Sequence, residues 1–118
     1  MARIMVADDA AFMRMRCKKL LIQLGHEVTE AATGSQAVEA YKNNRPDMVL
    51  LDITMPDMDG ITALKEIRAF DPDARIAMVT AMGQQSMVME ALKAGARDFV
   101  IKPFDQDRVL AAINKIMS

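Results

Sequence analysis

Residues 48–60 read MVLLDITMPDMDG. Four apolar residues, 48–51, run unbroken into Asp52, and a loop with Pro56, two further aspartates and Gly60 follows. A short, wholly apolar run suits a central strand of a parallel sheet, which is covered on both faces. Three other runs end in a similar way. Residues 3–7 lead into Asp8 and Asp9, residues 76–79 into Thr80, and residues 99–101 into Lys102. As parallel strands of one sheet, the four runs would bring their ends to one edge, where open α/β sheets place their chemistry. An acidic pair, a lone aspartate, a hydroxyl and a lysine then share one pocket. That set suits a hard cation and a phosphoryl group.

Helical patterns fill the intervals. Asp9 is expected to cap a helix reaching about Leu24, with Met13, Cys17, Leu20, Leu21 and Leu24 on one face and Gly25 closing it. Residues 26–31 alternate as an edge strand with one wet side. Residues 35–43 form a short helix that buries Ala37, Val38 and Tyr41. Ile61, Leu64 and Ile67 mark the next helix, and Asp71-Pro72-Asp73 turns the chain. Residues 84–94 make a helix with Val88, Ala91 and Leu92 inward, closed by Gly95. Asp105 caps the last helix, with Val109, Ile113 and Ile116 inward. The expected fold class is α/β: one domain over residues 1–118, a doubly wound (βα)5 unit with a five-stranded parallel sheet. Right-handed crossovers then set helices on both faces.

Composition narrows the function. The chain has 118 residues, 52% hydrophobic, which is bulk for one core and argues against disorder. A net charge of −1 gives no field for nucleic acid or an anionic membrane. No apolar stretch approaches the roughly 18 residues of a membrane span. The start, MARIMVADD, turns acidic too early for a secretory signal. The lone cysteine, Cys17, has no partner for an internal disulfide and is expected to pack as a small hydrophobe. A reduced, cytoplasmic setting and a monomer are the expectations. Twelve methionines against five aromatics admit two readings. They are adaptable core filler, or some of them, such as Met82, Met87 and Met89, line a docking surface.

The acidic cluster carries the chemistry. Like charges about 4 Å apart repel by several kcal/mol at an effective dielectric near 20, and a cation removes that cost. Asp8, Asp9 and Asp52 contribute −3 and Lys102 +1, so Mg²⁺ brings the site to zero. Calcium is disfavoured because no EF-hand-like loop is present, and zinc because the single His and Cys are far apart in sequence. Asp52 is the candidate nucleophile. At Thr80-Ala81 a hydroxyl and a backbone N–H can meet phosphate oxygens. The Lys102-Pro103 bond is open to the cis form.

The segments VADDAAFMRM, LLDITMPDMDGI, TAMGQQ and AGARDFVIKPF occur in this order. With these segments at these spacings, the chain resembles a bacterial response-regulator receiver domain along its full length. It is especially similar to the single-domain chemotaxis regulators. The resemblance implies a flavodoxin-like strand order, 2-1-3-4-5. It implies that Asp52 is the phosphoacceptor and that Asp9, Asp52 and the Thr54 carbonyl hold Mg²⁺, with Asp8 helping through water. Thr80 matches the switch hydroxyl, Lys102 the phosphate-binding lysine, and Phe99 the aromatic switch. Ala7, where a bulkier residue is usual, and threonine at 80, where serine is common, are mild departures.

The implied function is a signalling switch, not a classical enzyme. A CheA-type histidine kinase would donate the phosphoryl group, and a flagellar-motor switch protein would be the target. A phosphatase is a possible further partner, and no nucleic acid or membrane partner is expected. With no output domain following, output is expected to be binding by the helix at 84–94, the strand at 99–101 and the last helix. The alternatives are a phosphorelay intermediate or a receiver domain cut from a larger regulator. An aspartate-nucleophile phosphatase is disfavoured because Ile53-Thr54, not a second aspartate two residues on, follows Asp52. A flavin carrier is disfavoured by the acidic first loop.

Overall fold

The structure is a computed structural model that describes residues 2–103 and 105–117. Five strands and five helices alternate: β1 Arg3–Ala7, α1 Ala11–Gln23, β2 Glu27–Ala31, α2 Gly34–Asn44, β3 Met48–Asp52, α3 Gly60–Phe70, β4 Ile76–Thr80, α4 Gln85–Lys93, β5 Asp98–Ile101 and α5 Gln106–Met117. All strand pairs are parallel and the order is β2-β1-β3-β4-β5. The expected fold and strand order are therefore present.

The two-residue period of the strands divides the core. Met5, Ala7, Val49, Leu51, Ile76 and Met78 face α2, α3 and α4 through Ala37, Val38, Tyr41, Leu64, Ile67, Val88 and Ala91. Ile4, Val6, Met48, Leu50, Ala77 and Val79 face α1 and α5 through Cys17, Leu21, Val109, Ile113 and Ile116. Every residue of β3 and β4 is buried, which explains their uninterrupted apolar sequence. The edge strand β2 exposes Glu27, Thr29 and Glu30 and buries only Ala31.

Two boundaries differ usefully from the sequence expectation. β3 and β4 extend one residue further, so Asp52 and Thr80 are the last strand residues, not the first loop residues. They are thereby held by the ladder, where Asp52 pairs with Val79 and Thr80 with Ile101. The start of α1 is a correction. Its N-cap is Ala10, not Asp9. The Ala10 N–H donates to the Asp8 carboxylate at 2.9 Å, so the preceding aspartate does the local satisfying and Asp9 stays exposed. The expected cap of α5 is present: the Asp105 carboxylate accepts the Arg108 N–H at 3.0 Å.

Glycines fix the close approaches near the site. A Cβ on Gly60 would lie 1.9 Å from the Asp52 carbonyl oxygen, so only glycine lets α3 begin against the end of β3. The methionines divide between core and surface. Met5, Met48, Met55 and Met78 are core, whereas Met82 and Met89 are exposed. Among the described residues, no helix is long and apolar enough to cross a membrane.

Candidate functional site

The C-terminal ends of β1, β3, β4 and β5 gather Asp8, Asp52, Thr80 and Lys102 at one edge of the sheet. Asp8, Asp9 and Asp52 each offer a carboxylate oxygen within 4.8 Å of the others. Asp8 and Asp52 are buried, and Asp9 faces solvent. The Lys102 ammonium bridges the buried pair, 3.0 Å from an oxygen of each. Lys102 itself is anchored by its backbone N–H, which donates to the Thr80 carbonyl at 2.7 Å. The Lys102-Pro103 bond is cis.

The electrostatics are unbalanced. Three carboxylates and one ammonium sum to −2, which one divalent cation neutralises. The nearby Arg14 does not fill that role, because it pairs with Glu30 at 3.1 Å and donates to the Asp8 backbone carbonyl at 2.7 Å. Burial pushes the Asp52 carboxyl above its usual range against the pull of the Lys102 hydrogen bond, and the Asp8 charge adds to the rise. Burial alone would lower Lys102, but its hydrogen bonds to Asp8 and Asp52 outweigh it and hold the ammonium above its ordinary value. A buried carboxylate held above its usual range by burial and a neighbouring like charge, inside a charged cluster, is a candidate functional group. The donor set of carboxylates with an exposed member fits Mg²⁺, which favours a few oxygens plus water.

Thr54 lies in the loop after β3, and its N–H donates to Asp52 at 3.3 Å. Thr80 is 1% exposed at the end of β4. In the adjacent strand β5, Phe99 is half-buried and pairs with Met78, two residues before Thr80. Thr80 and Phe99 border one groove of about 220 Å³ together with Met82, Val88, Met89 and Leu92. Met82 and Met89 line this groove, and Met87 lies outside its lining. Cys17 behaves as expected of a core residue: burial, with the Asp8 charge adding, pushes its thiol up to about 12.

One participant escaped the sequence reading. The sequence pattern sets Gln84 at the start of a helix and within the TAMGQQ segment, with no side-chain role, yet its side chain turns back over the sheet edge. Its carboxamide oxygen accepts the Thr80 hydroxyl at 2.7 Å and the Ala81 N–H at 2.8 Å. Its amide nitrogen donates to the Thr54 hydroxyl at 3.1 Å. Gly83, with φ +91°, makes the reversal that brings it there. Neither periodicity nor residue type signals such a contact.

The comparisons with known proteins agree with this geometry. Residues 4–114 match the family described as response regulator receiver domain. The chain is 62% identical to the chemotaxis protein CheY of Bacillus subtilis over 117 residues, covering 98% of each. It is 55% identical to that of Thermotoga maritima over 115 residues, covering 97% of this chain and 96% of the relative. Among solved structures, it is similar to the CheX-CheY-BeF3-Mg²⁺ complex from Borrelia burgdorferi, with a TM-score of 0.93 and 37% identity, covering 98% of this chain and 89% of that one. With the acidic edge, the strand order and these matches together, the chain belongs to the response-regulator receiver family, as a CheY-like signalling domain of two-component systems.

Proposed function

We propose that this protein is a phosphorylation-activated chemotaxis regulator that receives a phosphoryl group on Asp52. The observation that carries the reading is the buried Asp52 carboxylate sharing Lys102 with Asp8, at 3.0 Å on both sides. A CheA-type histidine kinase is the proposed donor and a flagellar-motor switch protein the proposed target, in keeping with the CheY names of the relatives. A phosphatase would complete the cycle.

The chemistry follows from the residues. An Asp52 oxygen attacks the phosphorus in line, a P–O bond forms, and the P–N bond to the donor histidine breaks with its electron pair leaving on the imidazole. Lys102 already touches Asp52 and is placed to follow charge onto the phosphoryl oxygens. Asp8, Asp9 and Asp52 would hold Mg²⁺ with the Thr54 carbonyl. The ion supplies charge neutralisation for the acceptor carboxylates and the phosphoryl oxygens. The similar CheX-CheY complex with BeF3 and Mg²⁺ supports both assignments.

Thr80 and Phe99 are the proposed link to the binding surface. Thr80 would turn its hydroxyl toward the phosphoryl group, and the Phe99 ring would move into the space released. The groove between α4 and β5, with α5 beside it, would present the changed face. A coupling of about 1–3 kcal/mol corresponds to roughly 5–150-fold tighter partner binding. The testing experiment treats the protein with acetyl phosphate and Mg²⁺ and follows intact mass. One labile phosphoryl group is expected, absent in Asp52→Asn and without Mg²⁺. Labelling that persists in Asp52→Asn overturns the assignment.

A further inference from the structure

Two donors at the end of β4, beside the acidic edge, are already occupied. The Thr80 hydroxyl and the Ala81 N–H both point at one acceptor, the carboxamide oxygen of Gln84, at 2.7 and 2.8 Å. The backbone N–H can only donate, so it fixes the orientation of the amide: oxygen toward Thr80 and Ala81, nitrogen toward Thr54. The same side chain thus ties the loop after β4 to the loop after β3, across the mouth of the site. Its backbone takes part in helix α4, where the Gln84 carbonyl accepts the Val88 N–H at 3.0 Å. A shift of the carboxamide is therefore mechanically linked to the first turn of α4 and to the groove beside it.

We infer that Gln84 is a positioning residue that holds the switch in its resting state, its carboxamide oxygen engaging the Thr80 hydroxyl and the Ala81 N–H, the two donors that a phosphoryl group on Asp52 would draw away. The inference rests on Asp52 being the phosphoacceptor and Thr80 the switch hydroxyl. A phosphoryl group offers oxygens to the same donors and carries charge, so it forms the stronger hydrogen bonds and displaces the amide. Displacement costs the Gln84 bonds to Thr80, Ala81 and Thr54. That cost opposes phosphoryl binding and sets how much of the resting state persists. Release of Gln84 also leaves Thr54 without this partner and frees the entry to α4, which couples the site to the groove by a second route beside Phe99.

Substitutions at Gln84 move affinity in opposite directions. Gln84→Leu fills similar space but accepts nothing, so both donors are free for the incoming group. Thr80 is not stranded, because the Ala81 carbonyl lies 3.1 Å from its hydroxyl oxygen. Beryllofluoride with millimolar Mg²⁺ should bind roughly threefold to thirtyfold tighter to Gln84→Leu than to wild type. Gln84→Glu keeps both acceptor contacts, strengthens them with charge and repels the anion, so binding should weaken at least several-fold. In a Thr80→Ala background the gain from Gln84→Leu should shrink, because only the Ala81 N–H is left to free.

Affinities come from NMR titration of 15N-labelled full chains, with melting curves to check folding. The Gln84 side-chain amide signals should shift in wild type as the Thr54 contact breaks. Equal affinity in wild type and Gln84→Leu overturns the inference. So does movement of Gln84→Leu and Gln84→Glu in the same direction, which is the signature of a merely structural residue. If wild type shows no saturable binding, or binding survives Asp52→Asn, the Asp52 reading itself falls and takes this one with it.

Discussion

Two buried aspartates stand at opposite ends of the same sheet, and their surroundings push them in opposite directions. Asp71 follows α3 at the N-terminal edge. Its carboxylate accepts the buried Tyr41 hydroxyl at 2.7 Å, pairs with Arg45 at 3.0 Å and accepts the Asp73 N–H at 3.0 Å. The Tyr41 and Arg45 hydrogen bonds outweigh burial and hold it below the usual carboxylate range. Asp52, at the C-terminal edge, has one long N–H contact and half of a shared lysine, and burial pushes it up. The first carboxylate is finished as it stands; the second retains capacity for another ligand. The contrast separates a carboxylate whose partners are complete from the one proposed above to react.

Removing the settled carboxylate should have the largest effect. Asp71→Ala leaves the buried Tyr41 hydroxyl and the Asp73 N–H without their acceptor and frees Arg45. The expected cost is about 3 kcal/mol. For a domain of this size that lowers the melting temperature by roughly 10 °C. Phosphorylation of Asp52 by acetyl phosphate should survive at temperatures where the variant is folded. A loss under about 1 kcal/mol in urea unfolding would place Asp71 among ordinary surface turns and dissolve the comparison.

A smaller effect tests the opposite edge. Mg²⁺ bound to the native state alone raises stability by mass action, about 1.4 kcal/mol at ten times its dissociation constant. Asp9→Asn and Asp52→Asn should lose most of that gain, and Asp71→Asn should keep it. Titrating Mg²⁺ against the melting temperature of all four proteins gives the answer. A wild-type melting temperature indifferent to millimolar Mg²⁺ would remove the metal site.

The legibility of the two edges differs for a physical reason. Strand ends that carry Asp8, Asp52, Thr80 and Lys102 are readable because burial on both faces forces unbroken apolar runs, and a polar residue then marks the exit. The tendency of parallel sheets to gather chemistry at one edge does the rest. Asp71 read only as part of a turn, because its partner Tyr41 counts as an apolar residue in a helical pattern and the pairing spans 30 positions. Gln84 was hidden in the same way: a reversal at Gly83 decides its contacts, and loop geometry leaves no periodic trace. The pattern reads Asp9 as a cap because it does not distinguish an aspartate that caps a helix from one that faces solvent beside a carboxylate cluster.

The smallest effect sharpens the comparison most, because it concerns sign. The ordinary carboxyl value is 3.8 for both groups. Asp71 is held below it when folded, so the folded state binds fewer protons than the unfolded state in that window. Its contribution is fully present above about pH 4 and is lost as pH falls through the lower folded value. Asp52 is raised, so the folded state keeps its proton longer, and the penalty for ionising it grows as pH climbs from about 4 through the raised value. In metal-free buffer, the stability lost in Asp71→Asn should therefore be constant near neutrality and shrink below pH 4. The stability gained in Asp52→Asn should be small in acid, rise with pH and then level off, with Lys102 still paired to Asp8. Urea unfolding from pH 3 to pH 8 measures both differences against wild type. If the two differences follow pH with the same sign, the buried carboxylates do not occupy opposite electrostatic states, and the division between a structural and a reactive aspartate fails.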